Sequence, residues 1–173
     1  FFATKIFSKR PRMQLKVILN AIEKHKGFIY SNVRWDKQYK EKRLLIDISF
    51  RAGSKGFCTG CGTKGPTYDT LPARLFQFVP LWGILVFFVY AMRRIDCKAC
   101  GPTVEMVPWA QGKSPITKSL GWFLAGWAKR MSIEDVSRAF NVGWHGVFES
   151  IKMAVNWGLK NRDLSNIRAI GVD

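Results

Sequence analysis

The sequence predicts a modular α+β fold: an N-terminal helix, a small β-rich module built on four cysteines, then a three-helix unit containing a helix-turn-helix. Three observations lead there. The chain's four cysteines fall as two C-x2-C pairs, Cys58/Cys61 and Cys97/Cys100. Apolar residues alternate around those pairs, and helical periodicity with capping signals takes over after Trp109. Composition also changes character several times within 173 residues, which suits small modules better than one large core.

Residues 1–12 show no clear periodicity and precede the first methionine, Met13, so they read as read-through ahead of the natural start. From Met13 the spacing of Leu15, Ile18, Leu19 and Ile22 at i, i+3, i+4 and i+7 predicts a short helix ending near His25. Lys16, Lys24 and Lys26 occupy its other face, and a Lys-rich polar stretch follows, so residues 13–43 form a basic helix and linker. Between Leu44 and Arg51, Leu44, Ile46, Ile48 and Phe50 alternate with Asp47, Ser49 and Arg51, the pattern of a half-buried strand. That strand opens a β module over residues 44–110.

Within this module, the C-x2-C spacing lets two thiolates from one tight turn reach the same ion. Two such knuckles supply the closed four-thiolate tetrahedron of a structural Zn2+ site, with Cys58, Cys61, Cys97 and Cys100 as ligands. The 35 residues between Cys61 and Cys97 exceed the usual ribbon spacing, so the pattern indicates a metal more strongly than any one finger type. Two disulfides and a redox C-x-x-C are the alternatives. The first calls for a secreted chain, and no signal peptide is visible; the second calls for one motif on a βαβ background.

The apolar run Leu75 to Met92, closed by Arg93-Arg94, approaches the length of a bilayer span. Gln77, Pro80 and Gly83 interrupt it, and Val and Phe dominate the remainder. It therefore reads as two strands, Leu75 to Val79 and Ile84 to Arg94, joined by a turn around Pro80 and Gly83. A small basic membrane protein is the reading this displaces.

Past Trp109, Ser114-Pro115 signals a helix start, and Leu120, Phe123, Leu124 and Trp127 mark an apolar face running to about Arg130. Ser132 caps a second helix with Asp135 in capping-box position, and Val136, Ala139 and Phe140 form its buried face. Asn141-Val142-Gly143 turns the chain into a third helix, Trp144 to about Leu159, with Val147, Phe148, Ile151 and Val155 inward. Residues 114–160 thus carry the pattern of a helix-turn-helix, whose second helix enters the major groove of duplex DNA. Its first turn presents Trp144 and His145, with Lys152 further along and Arg130 and Arg138 placed for phosphates. A plain three-helix bundle with solvated charges is the alternative. The formal net charge of +16 favours a polyanionic partner; 14 Lys and Arg against 4 Asp and Glu put +10 of it in residues 1–57.

The order of these parts, with Tyr68-Asp69-Thr70-Leu71-Pro72, Arg93-Arg94-Ile95-Asp96-Cys97 and the final Ile170-Gly171-Val172-Asp173, resembles insertion-sequence transposases of the ISL-three family from Met13 onward. The resemblance implies a zinc module and helix-turn-helix that bind the terminal inverted repeats of the element, a homo-oligomer, and a nucleoid-associated cytoplasmic protein. It also implies a ribonuclease-H-like catalytic domain with an Asp-Asp-Glu triad holding Mg2+ for phosphoryl transfer. Asp173 matches the first of those carboxylates, and residues 166–173 match the first strand of that domain. The second Asp and the Glu are not in the sequence, so the resemblance implies a DNA-binding part without catalytic activity of its own. Gly143 and Gly146 stand where the family often has hydroxyl residues, at a cost of roughly 1 kcal/mol each in helix propensity. A zinc-containing helix-turn-helix transcriptional regulator is the alternative function.

Overall fold

The computed structural model describes residues 14–39, 41–163 and 165, which divide into two compact units. The first comprises the chain up to Arg74 together with Phe88–Met106, and the second comprises Leu75–Phe87 and the chain from Val107. The expected read-through segment 1–12 and the expected catalytic-domain strand 166–173 lie outside the described residues.

A five-stranded sheet has the order β1-β2-β6-β5, with β7 also paired to β6. Its strands are β1 (Phe28–Trp35), β2 (Arg43–Phe50), β5 (Thr67–Leu81), β6 (Ile84–Cys97) and β7 (Gly101–Val104). Two short strands, β3 (Gly56–Phe57) and β4 (Lys64–Gly65), form a separate antiparallel hairpin. Helix α1 (Leu15–Ile22) precedes the sheet, and α2 (Lys118–Trp127), α3 (Ile133–Phe140) and α4 (Trp144–Asn161) follow it.

Strand β1 corrects the expected linker over residues 26–43. It pairs antiparallel with β2, with a bulge between Tyr30 and Asn32 that adds Ser31 to one side. Only Tyr30 of its eight residues is buried, so the strand leaves little hydrophobic pattern in the sequence. Cross-strand partners supply what burial does not: Arg34 donates to Asp47 from Nε and Nη2, both at 3.2 Å. On α1, only Leu19 of the expected apolar face is buried, while Ile18 and Ile22 are exposed. A polar contact holds the helix instead. Asn20 donates to the Tyr30 carbonyl at 3.2 Å and accepts from the Tyr30 amide at 3.3 Å.

The core of the first unit contains Tyr30, Leu45, Ile46, Ile48, Phe88, Tyr90 and Met92. Phe28 meets Tyr90 edge-on at 5.6 Å, and Tyr30 lies 5.3 Å from Phe88. Among these apolar side chains lies an ion pair. Arg93 donates from Nη2 and Nε to Glu105 Oε2 at 2.7 and 3.0 Å, and both side chains are buried. Glu105 also accepts from the Arg93 amide at 2.9 Å and from the Tyr90 hydroxyl, while Arg93 Nη1 donates to the Ser54 carbonyl at 2.9 Å. The next residue, Arg94, pairs with Asp69, its Nε donating to Oδ1 at 2.7 Å, in a half-exposed position.

The apolar run Leu75 to Met92 is divided between β5 and β6, and among the described residues no helix is long and apolar enough to cross a membrane. Its turn is Trp82-Gly83, both at positive φ (49° and 77°), which is the two-residue hairpin geometry that matches strand twist. The turn therefore lies two residues beyond Pro80, and β5 extends to Leu81.

In the second unit, Leu120, Leu124, Val136, Val142 and Val147 form the buried core of α2, α3 and α4, with Val79 and Phe140 packed against it. The helix-start signal at Ser114-Pro115 is corrected. Helix α2 begins at Lys118, capped by Thr117, whose hydroxyl accepts from the Leu120 amide at 3.2 Å, and it ends at Trp127 rather than Arg130. Ser114 instead closes a local turn, accepting from the Ile116 amide at 3.2 Å, which leaves Ile116 free to bridge Gln77. Ser132 caps α3 by accepting from the Asp135 amide at 3.1 Å. Ala139, expected inside, is exposed; so are Phe148 and Val155, because the line of α4 that meets α2 is Val147 and Ser150.

Removing one partner from the buried ion pair isolates the other's charge. Glu105→Ala should therefore cost about 3–5 kcal/mol in chemical denaturation, and the joint change Arg93→Met with Glu105→Leu should restore most of it. A single-variant loss below about 1 kcal/mol would contradict the burial of this pair.

Candidate metal centre and nucleic-acid interface

The four cysteines converge within the first unit. Cys58 to Cys61 form the connection between β3 and β4, and Cys97 to Cys100 connect β6 to β7. In the first knuckle the Cys58 amide donates to the Thr63 carbonyl at 2.8 Å and the Gly62 amide to the Cys58 carbonyl at 2.9 Å. Backbone bonds tie the two hairpins together: Met106 N to Phe57 O at 2.8 Å and Asp96 N to Pro66 O at 3.0 Å. All four sulfurs then lie within 4.8 Å of one another, with Cys61 and Cys97 at 3.4 Å.

This donor set fits a tetrahedral ion. Zinc–sulfur bonds of about 2.3 Å at tetrahedral angles place the sulfurs about 3.8 Å apart, within the range these thiols occupy. Each knuckle has a glycine directly after its second cysteine, Gly62 at φ 74° and Gly101 at φ 71°, where the chain turns in the left-handed region. Gly60 matters for a different reason, since a Cβ there would sit 3.0 Å from Cys100 Sγ. Hydroxyls surround the sulfurs as well, Thr103 at 3.1 Å from Cys58 and Thr63 at 2.9 Å from Cys61.

The electrostatics are uneven across the cluster. The Thr103 hydroxyl, with the Cys61 and Gly60 amides, brings the Cys58 thiol down to about 6. Thr63 and the amides of Cys100 and Ala99 lower Cys97. Cys100 goes the other way, pushed up to about 12 by the sulfurs of Cys61 and Cys58, which bond to its protonated form, and by burial. The first cysteine of each knuckle is thus shifted toward the thiolate form. Four thiolates together need a cation, and a bound dication reverses the preference at Cys100.

The other predicted site residues are dispersed over the second unit. Arg130 lies in the turn after α2 and Arg138 on α3, where it donates to Asp135 Oδ1 at 2.7 Å. That contact, after the Ser132 hydroxyl, holds the Asp135 carboxyl below its usual range. Trp144 and His145 open α4, and Lys152 lies two turns on, 3.4 Å from Glu149. All five are exposed. Trp144 stacks on Phe148 with ring centroids 5.3 Å apart, whereas His145 and Lys152 line a groove alongside α4.

Gly143 and Gly146 differ in role. Gly143 is the N-cap and lies outside the helix, so the helix-propensity cost expected of it does not arise. Gly146 is helical, and a Cβ there would stand 2.8 Å from Val142 Cγ1, against the turn. Sequence reading also missed Lys118, Asn156, Trp157 and Lys160, which line the groove. The α4 residues among them recur at helical spacing with His145 and Lys152. Asp173 lies outside the described residues.

Curated relatives of the chain are insertion-sequence transposases. It is 32% identical over 134 residues to the transposase for insertion sequence element IS1557 of Mycobacterium tuberculosis, covering 76% of this chain and 30% of that protein. It is 24% identical over 117 residues to the transposase for insertion sequence element IS1001 of Bordetella parapertussis, covering 67% of this chain and 29% of that protein. The chain therefore spans less than a third of the length of these relatives. No family model matches it, and no solved structure matches it.

The geometry at Gly60 sets a test of the cluster. Gly60→Val should force Cys100 away from the other sulfurs, raising thiol reactivity toward an aromatic disulfide reagent at least severalfold in the folded protein. Unchanged reactivity would show that the knuckle does not close as described.

Proposed function

We propose that the chain is the DNA-binding part of an insertion-sequence transposase of the ISL-three family, recognising the terminal inverted repeats of its element at the nucleoid. The observation that carries this reading is the similarity to two insertion-sequence transposases, in a chain with net charge +16. The helices support it. Asn141, in the left-handed conformation at φ 51°, ends α3 and leads through Val142 and Gly143 into α4, the compact turn of a helix-turn-helix. In that role α4 is the recognition helix. Trp144 and His145 meet base edges from its first turn, Lys152 follows, and Arg130 and Arg138 hold phosphates.

Cys58, Cys61, Cys97 and Cys100 hold a structural Zn2+ in this reading. The bound ion joins two hairpins and contributes folding energy to a module whose core is small. The chain's own residues prepare that site: Thr103 and the amides of Cys61 and Gly60 favour thiolate at Cys58, and the glycines after Cys61 and Cys100 turn each knuckle.

Selection from a randomised duplex pool, followed by binding titrations across salt concentrations, tests the DNA assignment. A preferred sequence should emerge, with affinity falling steeply as salt rises. Arg138→Ala should weaken binding to all duplexes similarly and reduce the salt slope by about one, whereas His145→Ala should relax the sequence preference. Equal affinity for every duplex at every salt concentration would refute sequence recognition.

A further inference from the structure

Within the second unit, a groove of about 1130 Å³ runs alongside α4. His145, Glu149, Lys152, Asn156 and Lys160 line it from the helix, at positions i, i+4, i+7, i+11 and i+15, so one continuous stripe of α4 faces the cavity. Lys118, at the first position of α2, adds a further charge. Three lysines thus face one carboxylate, and Lys152 already lies 3.4 Å from Glu149. The groove's charged lining is basic, and Leu75, Phe87, Ile116, Met153 and Trp157 give it apolar surface beside those charges. Trp157 lines it while remaining 58% exposed, with Trp122 perpendicular to it at a centroid separation of 5.6 Å. This edge-to-face contact fixes the indole, so that ordering it on a ligand costs little entropy.

A positively charged groove with an exposed, fixed aromatic ring is the combination that takes a single nucleic-acid strand. Lysines follow the phosphates, and every base offers a π-face to the ring. A duplex keeps those faces stacked inside, so a ring on a groove wall reaches a base only where pairing is lost. From His145 to Lys160 the stripe extends about 22 Å, enough for a run of several nucleotides. Arg130, Arg138 and Trp144 do not line this groove. They remain available for duplex contacts.

We infer that this groove holds a short unpaired stretch of DNA, with Lys118, Lys152 and Lys160 at its phosphates and Trp157 stacked on a base. The inference rests on the DNA-binding reading and gives the same unit a second mode of contact, which shares His145 and Lys152 with the duplex contacts but adds Lys118, Trp157 and Lys160. Fluorescence anisotropy on the full chain tests it, using labelled octathymidylate and a labelled duplex carrying the selected site. Octathymidylate should bind, and Trp157→Ala should weaken that binding about fivefold or more while leaving duplex affinity within about twofold. Trp157→Phe, which keeps a ring, should recover most of the loss, separating stacking from folding. Lys160→Ala should lower the single-strand salt slope by about 0.7. Duplex binding without octathymidylate binding, or an equal effect of Trp157→Ala on both probes, would overturn the groove assignment and leave the duplex reading standing. Failure of both probes to bind would overturn the two together.

Discussion

Four thiols brought within 4.8 Å of one another are the constraint on which the first unit depends. They join the β3–β4 hairpin, whose strands are too short to bury much apolar surface themselves, to the β6–β7 hairpin. The backbone is shaped for that convergence. Glycines turn the chain after Cys61 and Cys100, and Gly60 makes room for Cys100. Thiols so placed compete for protons, as the opposite displacements of Cys58 and Cys100 show. A dication resolves that competition, which is the physical case for zinc.

Behind the cluster, β6 divides its two arginines between different tasks. Arg93 lies in the core, held by the Ser54 carbonyl and by Glu105, which also accepts from the Tyr90 hydroxyl, with its guanidinium 4.3 Å over the Phe50 ring. Arg94, its neighbour, pairs with Asp69 in a half-exposed position. This division follows from neighbouring strand residues pointing to opposite faces, with burial changing phase between Met92 and Arg93, both of them buried. It also brings together two segments, Thr67 to Pro72 and Arg93 to Cys100, that the sequence alone could only mark as separate points of family resemblance. A buried ion pair adds little net stability, since its desolvation offsets much of its attraction.

Much of this was legible because spacing encodes it. The C-x2-C pairs marked the cysteine cluster, and the apolar run around Phe87 showed its strand character through Val and Phe. Capping and periodicity gave three helices, the first from Ser114-Pro115 to about Arg130, the second from the Ser132 cap and the third from Trp144 to about Leu159, where the structure has 118–127, 133–140 and 144–161. Strand β1 was hidden because it buries one residue in eight. At α2, Ser114 and Thr117 both carry capping hydroxyls, and the bridge between Ile116 and Gln77 decides between them. On α4 periodicity favoured Phe148 and Val155 as core, but Gly121 lets Ser150 and Met153 approach α2 closely, with a Cβ there only 3.0 Å from Met153 Cε. The Lys118, Trp157 and Lys160 groove was illegible for a related reason: it depends on what lies beside α4, which no pattern within the helix reveals.

The most direct measurement is the metal content of the purified chain by elemental analysis, together with Cys58→Ser and Cys97→Ser variants. One zinc per chain, lost in either variant along with folded structure in the first unit, is the result predicted. Folded protein with no bound metal and four freely titrating thiols would contradict the account, because the two hairpins would then be held together by something other than a shared ion.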